Sequence, residues 1–122
     1  MQRSPEEVVL RYNHEFWSER KFDLADELIS EEVIRHEVGK VETLTRAESR
    51  QRAIDFMAEM DDARFDLLHT VSDGEFVTIV YVCTLVPKEA EKQEVSSIEV
   101  FRVVDGRICE VWNAAYEAGR WR

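Results

Sequence analysis

Ser96–Trp112 reads SSIEVFRVVDGRICEVW, and the reading of this stretch decides the rest of the chain. Two apolar runs flank Asp105-Gly106. A two-residue loop between antiparallel strands needs positive φ, which Gly accepts freely. The stretch therefore predicts a β-hairpin with both strands in a core. Its first strand carries an anomaly, because Glu99 stands between Ile98 and Val100. An unpaired charge in such a strand costs several kcal/mol, so Glu99 must be paired, neutral or functional.

Upstream of the hairpin the period-two pattern continues. Arg64–Ser72 alternates, Asp73-Gly74 turns, Phe76–Val86 is rich in Val, Ile, Tyr and Phe, and the polar stretch Pro87–Glu94 leads into Val95–Val104. Arg107–Tyr116 is the last strand of the predicted four-strand meander.

Before Arg64 the period is helical. Ser4, Pro5 and Glu7 predict a capped helix start, with Val8, Val9, Tyr12 and Phe16 as the inward stripe and Leu10, His14 and Trp17 on the stripe beside it. A short second helix is expected from Asp23, burying Leu24, Leu28 and Ile29, and Val33–Val38 is a short strand ending at Gly39. Thr45 and Glu48 form a capping box that opens a third helix to about Met60, with Ala53, Ile54, Met57 and Met60 inward. The order predicts an α+β fold in which three N-terminal helices pack on one face of a curved, mostly antiparallel sheet. Phe76–Val86 is apolar on both faces, so a second subunit is expected to cover the outer one, making a homodimer.

The chain has 122 residues, enough for one domain spanning 1–122 with a real core. Its 26 acidic and 16 basic residues give a formal charge of −10, which disfavours nucleic acid and anionic membrane surfaces as partners. No apolar window reaches membrane-spanning length, and MQRSPEEVV lacks the apolar centre of a signal peptide, so the expected address is cytoplasmic. Cys83 and Cys109 fall in apolar strands without ligand spacing and read as reduced thiols. The three histidines show no ligand spacing either, so no metal and no cofactor are expected. His69 shares strand parity with Phe65, Leu67 and Val71, which predicts a core histidine; His14, on the second stripe of the first helix, is a lesser candidate for the pocket edge.

SSIEVFRVVDGRICEVW, RYNHEFWSERKFDLADELISEEVIRHEV and TRAESRQRAI together resemble the NTF2-like superfamily over nearly the whole chain. Within it the chain most resembles the SnoaL-like polyketide cyclase group, where a strand like IEVFRVVDGRI precedes an E-x-W such as Glu110-Val111-Trp112. The resemblance implies a cone of helices and curved sheet around a pocket, expected here to be apolar. It also resembles ketosteroid isomerase, whose tyrosine, general-base and oxyanion positions fall at Tyr12, His36 and Glu99. The cyclase group has an acid shortly after the tryptophan, where this chain has Asn113-Ala114-Ala115-Tyr116. Limonene epoxide hydrolase carries an Arg two residues before its strand carboxylate, where this chain has Ser97.

Alternation puts Ser97, Glu99, Phe101 and Val103 on one face. If that face lines the cone, burial raises the Glu99 pKa and makes it a hydrogen-bond donor to an oxyanion, assisted by Tyr12. His36 would be the base, since histidine titrates near neutrality. Phe16, Met57, Tyr81, Phe101 and Asn113 are expected to line the pocket around these three. The implied activity is cofactor-independent isomerisation, cyclisation or dehydration of a small hydrophobic carbonyl compound. The competing reading is a non-catalytic ligand-binding or dimerisation module, with Tyr12 in the core and Glu99 locked by an arginine.

Overall fold

The computed structural model describes residues 3–122, so Met1 and Gln2 lie outside the described residues. The first helix, α1 (Pro5–Arg11), begins where Ser4 Oγ accepts from the Glu7 N–H at 3.2 Å, with Pro5 at its first position. It does not continue as an α-helix. Tyr12–Ser18 winds as a π-helix, and the Glu19 N–H bonds the His14 carbonyl five residues back at 3.2 Å. That wider turn brings Asn13, Phe16 and Trp17 into the interior and leaves His14 exposed. A 3₁₀ turn (Phe22–Leu24) and α2 (Ala25–Leu28) follow.

Ile29, expected at the end of the second helix, instead starts β1 (Ile29–Glu37). This strand is longer than its sequence suggested and forms a hairpin with β2 (Lys40–Thr45), which the sequence reading did not contain. β2 is a mostly exposed edge strand, so it lacks the apolar alternation that marks a buried strand. Thr45 then caps α3 (Arg46–Ala58) through a complete capping box with Glu48. Met60, expected on the buried side of α3, begins β3 (Met60–Asp73). β4 (Phe76–Pro87), β5 (Gln93–Val104) and β6 (Arg107–Asn113) complete the predicted meander, and a short β7 (Glu117–Ala118) follows.

The strand order is β2-β1-β6-β5-β4-β3, with β7 paired to β5. Only β1 and β6 are parallel; the other pairs are antiparallel. Asp105 and Gly106 take φ of 53° and 76°, the two positive values that the β5–β6 turn requires. Bulges in β3 and between β5 and β6 help to curl the unclosed sheet around the helices. The bulge between Leu67 and His69 also reverses strand parity, so His69 is exposed rather than in the core.

The concave face buries Val77, Ile79, Phe101 and Val111 against Val8, Val9, Phe16 and Leu28. On the convex face Val82 is covered, while Ile34, Phe76 and Ile98 are 38%, 42% and 41% exposed. No helix among the described residues is long and apolar enough to cross a membrane.

Candidate active site

The helices do not fill the open end of the cone. A cavity of about 340 Å³ remains there, within the range of small-molecule sites. Its aromatic wall comes from Tyr12 and Trp17 on the π-helical turns, Phe56 on α3, Phe65 on β3 and Tyr81 on β4. Its polar groups are Arg35 and Glu37 on β1, Arg52 on α3, Glu99 on β5 and Asn113 on β6, with Asn13 beside Tyr12. Ala115 and Tyr116, just past β6, close one side. The pocket is thus less apolar than expected, because two arginines and two carboxylates face it.

Strand pairing explains why these polar groups meet. Glu99 lies opposite Ile79 on β4 and opposite Asn113 on β6, and Arg35 pairs with Val111 two residues before Asn113. Arg35 Nη2 donates to Asn113 Oδ1 at 2.8 Å, and Tyr81 Oη donates to Glu99 Oε1 at 3.2 Å. Ser97, also on the inward face of β5, spends its hydroxyl on the Ala114 carbonyl at 3.0 Å.

Burial pushes the Glu99 carboxyl above its ordinary pKa. The Arg35 charge, the Tyr81 hydrogen bond and the Arg52 charge pull the other way without cancelling that rise. Burial likewise raises Tyr81, helped by the neighbouring Glu99 charge and by its bond to Glu99. Tyr12 is also raised by burial. Cys83, on the same wall, is pushed by burial up to about 12, which leaves it a protonated, unreactive thiol. Among the described residues no three His, Cys, Asp or Glu side chains gather as a metal-binding group.

The raised Glu99 pKa makes a testable stability statement. The folded protein holds the Glu99 proton more tightly than the unfolded chain does, so the associated stability is full below the ordinary value of 4.5. It is lost as pH rises through the folded value. Glu99→Gln removes this loss, so the variant should gain stability over wild type as pH increases from 4.5. Each tenfold displacement of the proton equilibrium is worth about 1.4 kcal/mol. Urea denaturation of both proteins from acid to neutral pH checks the sign. A stability difference that stays constant or shrinks with pH contradicts it.

Of the residues singled out in the sequence, Tyr12, Tyr81, Glu99 and Asn113 line the cavity. Phe16, Met57 and Phe101 do not: they are 0%, 1% and 0% exposed and sit in the packed core beneath it. The correction is one of depth, since Phe101 is on the inward face but lies beyond the open end of the cone. His36 requires a larger correction. Val33, Arg35 and Glu37 are the inward residues of β1, so His36 points to the convex face. There its ring stacks on Trp112 at 4.8 Å between centroids, and Nε2 lies 2.7 Å from Glu110 Oε2. His36 therefore does not join Tyr12 and Glu99. His14 is exposed and does not edge the pocket. Arg35, Arg52 and Glu37 escaped the sequence reading. Strand parity puts Arg35 on the same face as Val33, but Ile34 on the other face is apolar too, so parity alone does not mark Arg35 as inward.

A family model for the SnoaL-like domain matches residues 9–111. A search of curated proteins gave no match. Among solved structures, a candidate polyketide cyclase from Acidithiobacillus ferrooxidans is 20% identical with a TM-score of 0.80, covering 93% of this chain and 89% of its own. A SnoaL-like polyketide cyclase from Agrobacterium tumefaciens is 15% identical with a TM-score of 0.79, covering 95% and 93%. An LEH-like epoxide hydrolase from M. tuberculosis is 17% identical with a TM-score of 0.69, covering 93% and 82%. At these identities the likeness is one of fold.

Proposed function

The chain belongs to the SnoaL-like domain family, on the NTF2-like α+β cone, and from that premise we propose that it is a cofactor-independent proton-transfer enzyme. Its substrate is a small hydrophobic carbonyl compound and its reaction an isomerisation, cyclisation or dehydration. The observation that carries this reading is Glu99: a carboxyl facing a cavity, held by Tyr81, in no salt bridge among the described residues, with its pKa raised by burial. Such an acid holds a proton more readily than an ordinary carboxyl does, which suits a group that takes and returns one.

Glu99 replaces His36 as the base, because His36 faces away from the cavity. Glu99 removes a proton from carbon beside the substrate carbonyl, and the electron pair moves onto the carbonyl oxygen. Arg35, positioned by Asn113, stabilises that oxyanion. In an isomerisation Glu99 then returns the proton to another carbon of the enolate, and in a dehydration it gives the proton to the hydroxyl that leaves as water, so no oxidant or reductant is needed. Tyr12, Trp17 and Phe56 supply the apolar wall.

The test is exchange of the hydrogens beside the carbonyl for deuterium, followed by NMR in D₂O over a panel of unsaturated ketones and 1,3-diketones. Wild type should accelerate exchange for at least one compound, and Glu99→Gln should not. Equal rates for the two proteins across the panel defeat the reading.

The protein works as a cytoplasmic homodimer in this proposal. Ile34, Phe76 and Ile98 on the convex sheet face are the surface that a second copy covers, and the free thiols of Cys83 and Cys109 suit a reducing compartment. Sedimentation should give a dimer for wild type and a monomer for Ile98→Glu. A monomeric wild type at micromolar concentration removes the dimer.

A further inference from the structure

Arg35 is 8% exposed, lines the cavity and makes one side-chain hydrogen bond, to the neutral amide of Asn113. It enters no salt bridge among the described residues; Arg20, Arg46 and Arg107 enter none either, but they donate to backbone carbonyls, whereas Arg35 faces the cavity. Burying a guanidinium without a counter-ion is costly, so the cavity holds an unmet demand for negative charge. Arg52, exposed on α3, adds a second cation to the same cavity and also has no salt bridge among the described residues.

Glu99 does not meet this demand. No salt bridge joins it to either arginine among the described residues, and its pKa stays raised despite their charges. Glu37 lines the cavity but is exposed and likewise unbridged. Glu42, opposite Arg35 on β2, feels the charge of both arginines, but it is paired with Lys40 at 3.0 Å and, among the described residues, no carboxylate closes on Arg35 as a salt bridge.

We infer that the substrate carries a carboxylate, held by Arg35 and Arg52, with its apolar body against Tyr12, Trp17 and Phe56. This deepens the proton-transfer reading and rests on it: the carbonyl compound is a small aromatic or unsaturated keto acid. A guanidinium presents several N–H donors in a planar fork, so Arg35 serves the carboxylate and the adjacent carbonyl oxygen together. The net charge of −10 opposes approach of an anion, and the two cations reverse that field locally.

The experiment is calorimetric titration of the full chain with benzoate, cinnamate and naphthoate, each against its neutral amide. At least one acid should bind about tenfold or more tightly than its amide, the scale of a charge-assisted hydrogen bond. Arg35→Gln should abolish that preference. Arg52→Gln, on an exposed helix position where folding is not at stake, should reduce it. If no acid binds more tightly than its amide, or if both variants keep the preference, the inference is overturned. The two readings fail separately. Acid preference retained while Glu99→Gln still exchanges deuterium normally defeats only the proton-transfer role. Exchange on neutral ketones without any acid preference defeats only the carboxylate.

Discussion

Glu99→Gln should slow catalysed deuterium exchange by about 10²–10⁴-fold, the usual contribution of a positioned general base. The change is nearly isosteric. The amide oxygen can still accept the 3.2 Å hydrogen bond from Tyr81, and the cavity wall keeps its shape. What is lost is the capacity to take a proton from carbon. The loss should therefore appear in kcat, with KM little changed, because ground-state contacts survive. Tyr81→Phe separates positioning from catalysis. The Tyr81 hydroxyl lowers the Glu99 pKa, so removing it raises that pKa further. A base works only when deprotonated, so the acid limb of the pH–rate profile should move to higher pH in Tyr81→Phe. A profile that keeps its position while activity falls would mean that Tyr81 does not tune Glu99. A Glu99→Gln enzyme within about twofold of wild type would remove Glu99 from the chemistry.

The largest stability effect should come from Phe101→Ala. Phe101 is 0% exposed and its ring meets Tyr12 edge-on, with centroids 5.8 Å apart. Tyr12 in turn stacks on Phe16 at 5.3 Å. Truncating a buried phenylalanine costs about 3–5 kcal/mol, through lost transfer energy and the cavity left behind. That is a large part of the roughly 5–15 kcal/mol that holds a domain folded. Thermal unfolding should move down by more than about 10 °C. The ring contact with Tyr12 ties this core position to the floor of the cavity, so ligand affinity measured below the transition should also fall. A shift under about 3 °C would contradict the packing described for Phe101.

Much of the molecule was legible before any coordinates. Asp105-Gly106 marked the β5–β6 turn because a two-residue hairpin demands positive φ, and both residues have it. Thr45 and Glu48 marked the start of α3 because orphan N–H groups at a helix start need acceptors, and the box forms. The phrases that resemble the SnoaL-like group fall largely within the residues that the family model matches. These signals are local: each depends on residues a few positions apart.

The errors share a different origin. β2 was missed because an exposed edge strand carries little hydrophobic pattern, and only pairing with β1 defines it. Val33 and Ile34 are both apolar, so alternation alone did not say which face of β1 is inward. Counting along the resemblance put His36 in the pocket, whereas pairing with β6 set it on Trp112 and put Arg35 inside. A one-residue change of parity exchanges every side chain between faces. The bulge after Leu67 did the same to His69. Phe101 shows the remaining case, since alternation assigns a face but not a depth along the strand.

Sequence by itself determined the fold class, the Asp73-Gly74 and Asp105-Gly106 turns, the inward face of β5 and the anomaly at Glu99, because these follow from local φ preferences, capping and period. Tertiary structure alone decided that Arg35 rather than His36 faces Glu99 across the cavity. That choice depends on a parallel pairing between strands far apart in the chain, which no local pattern encodes.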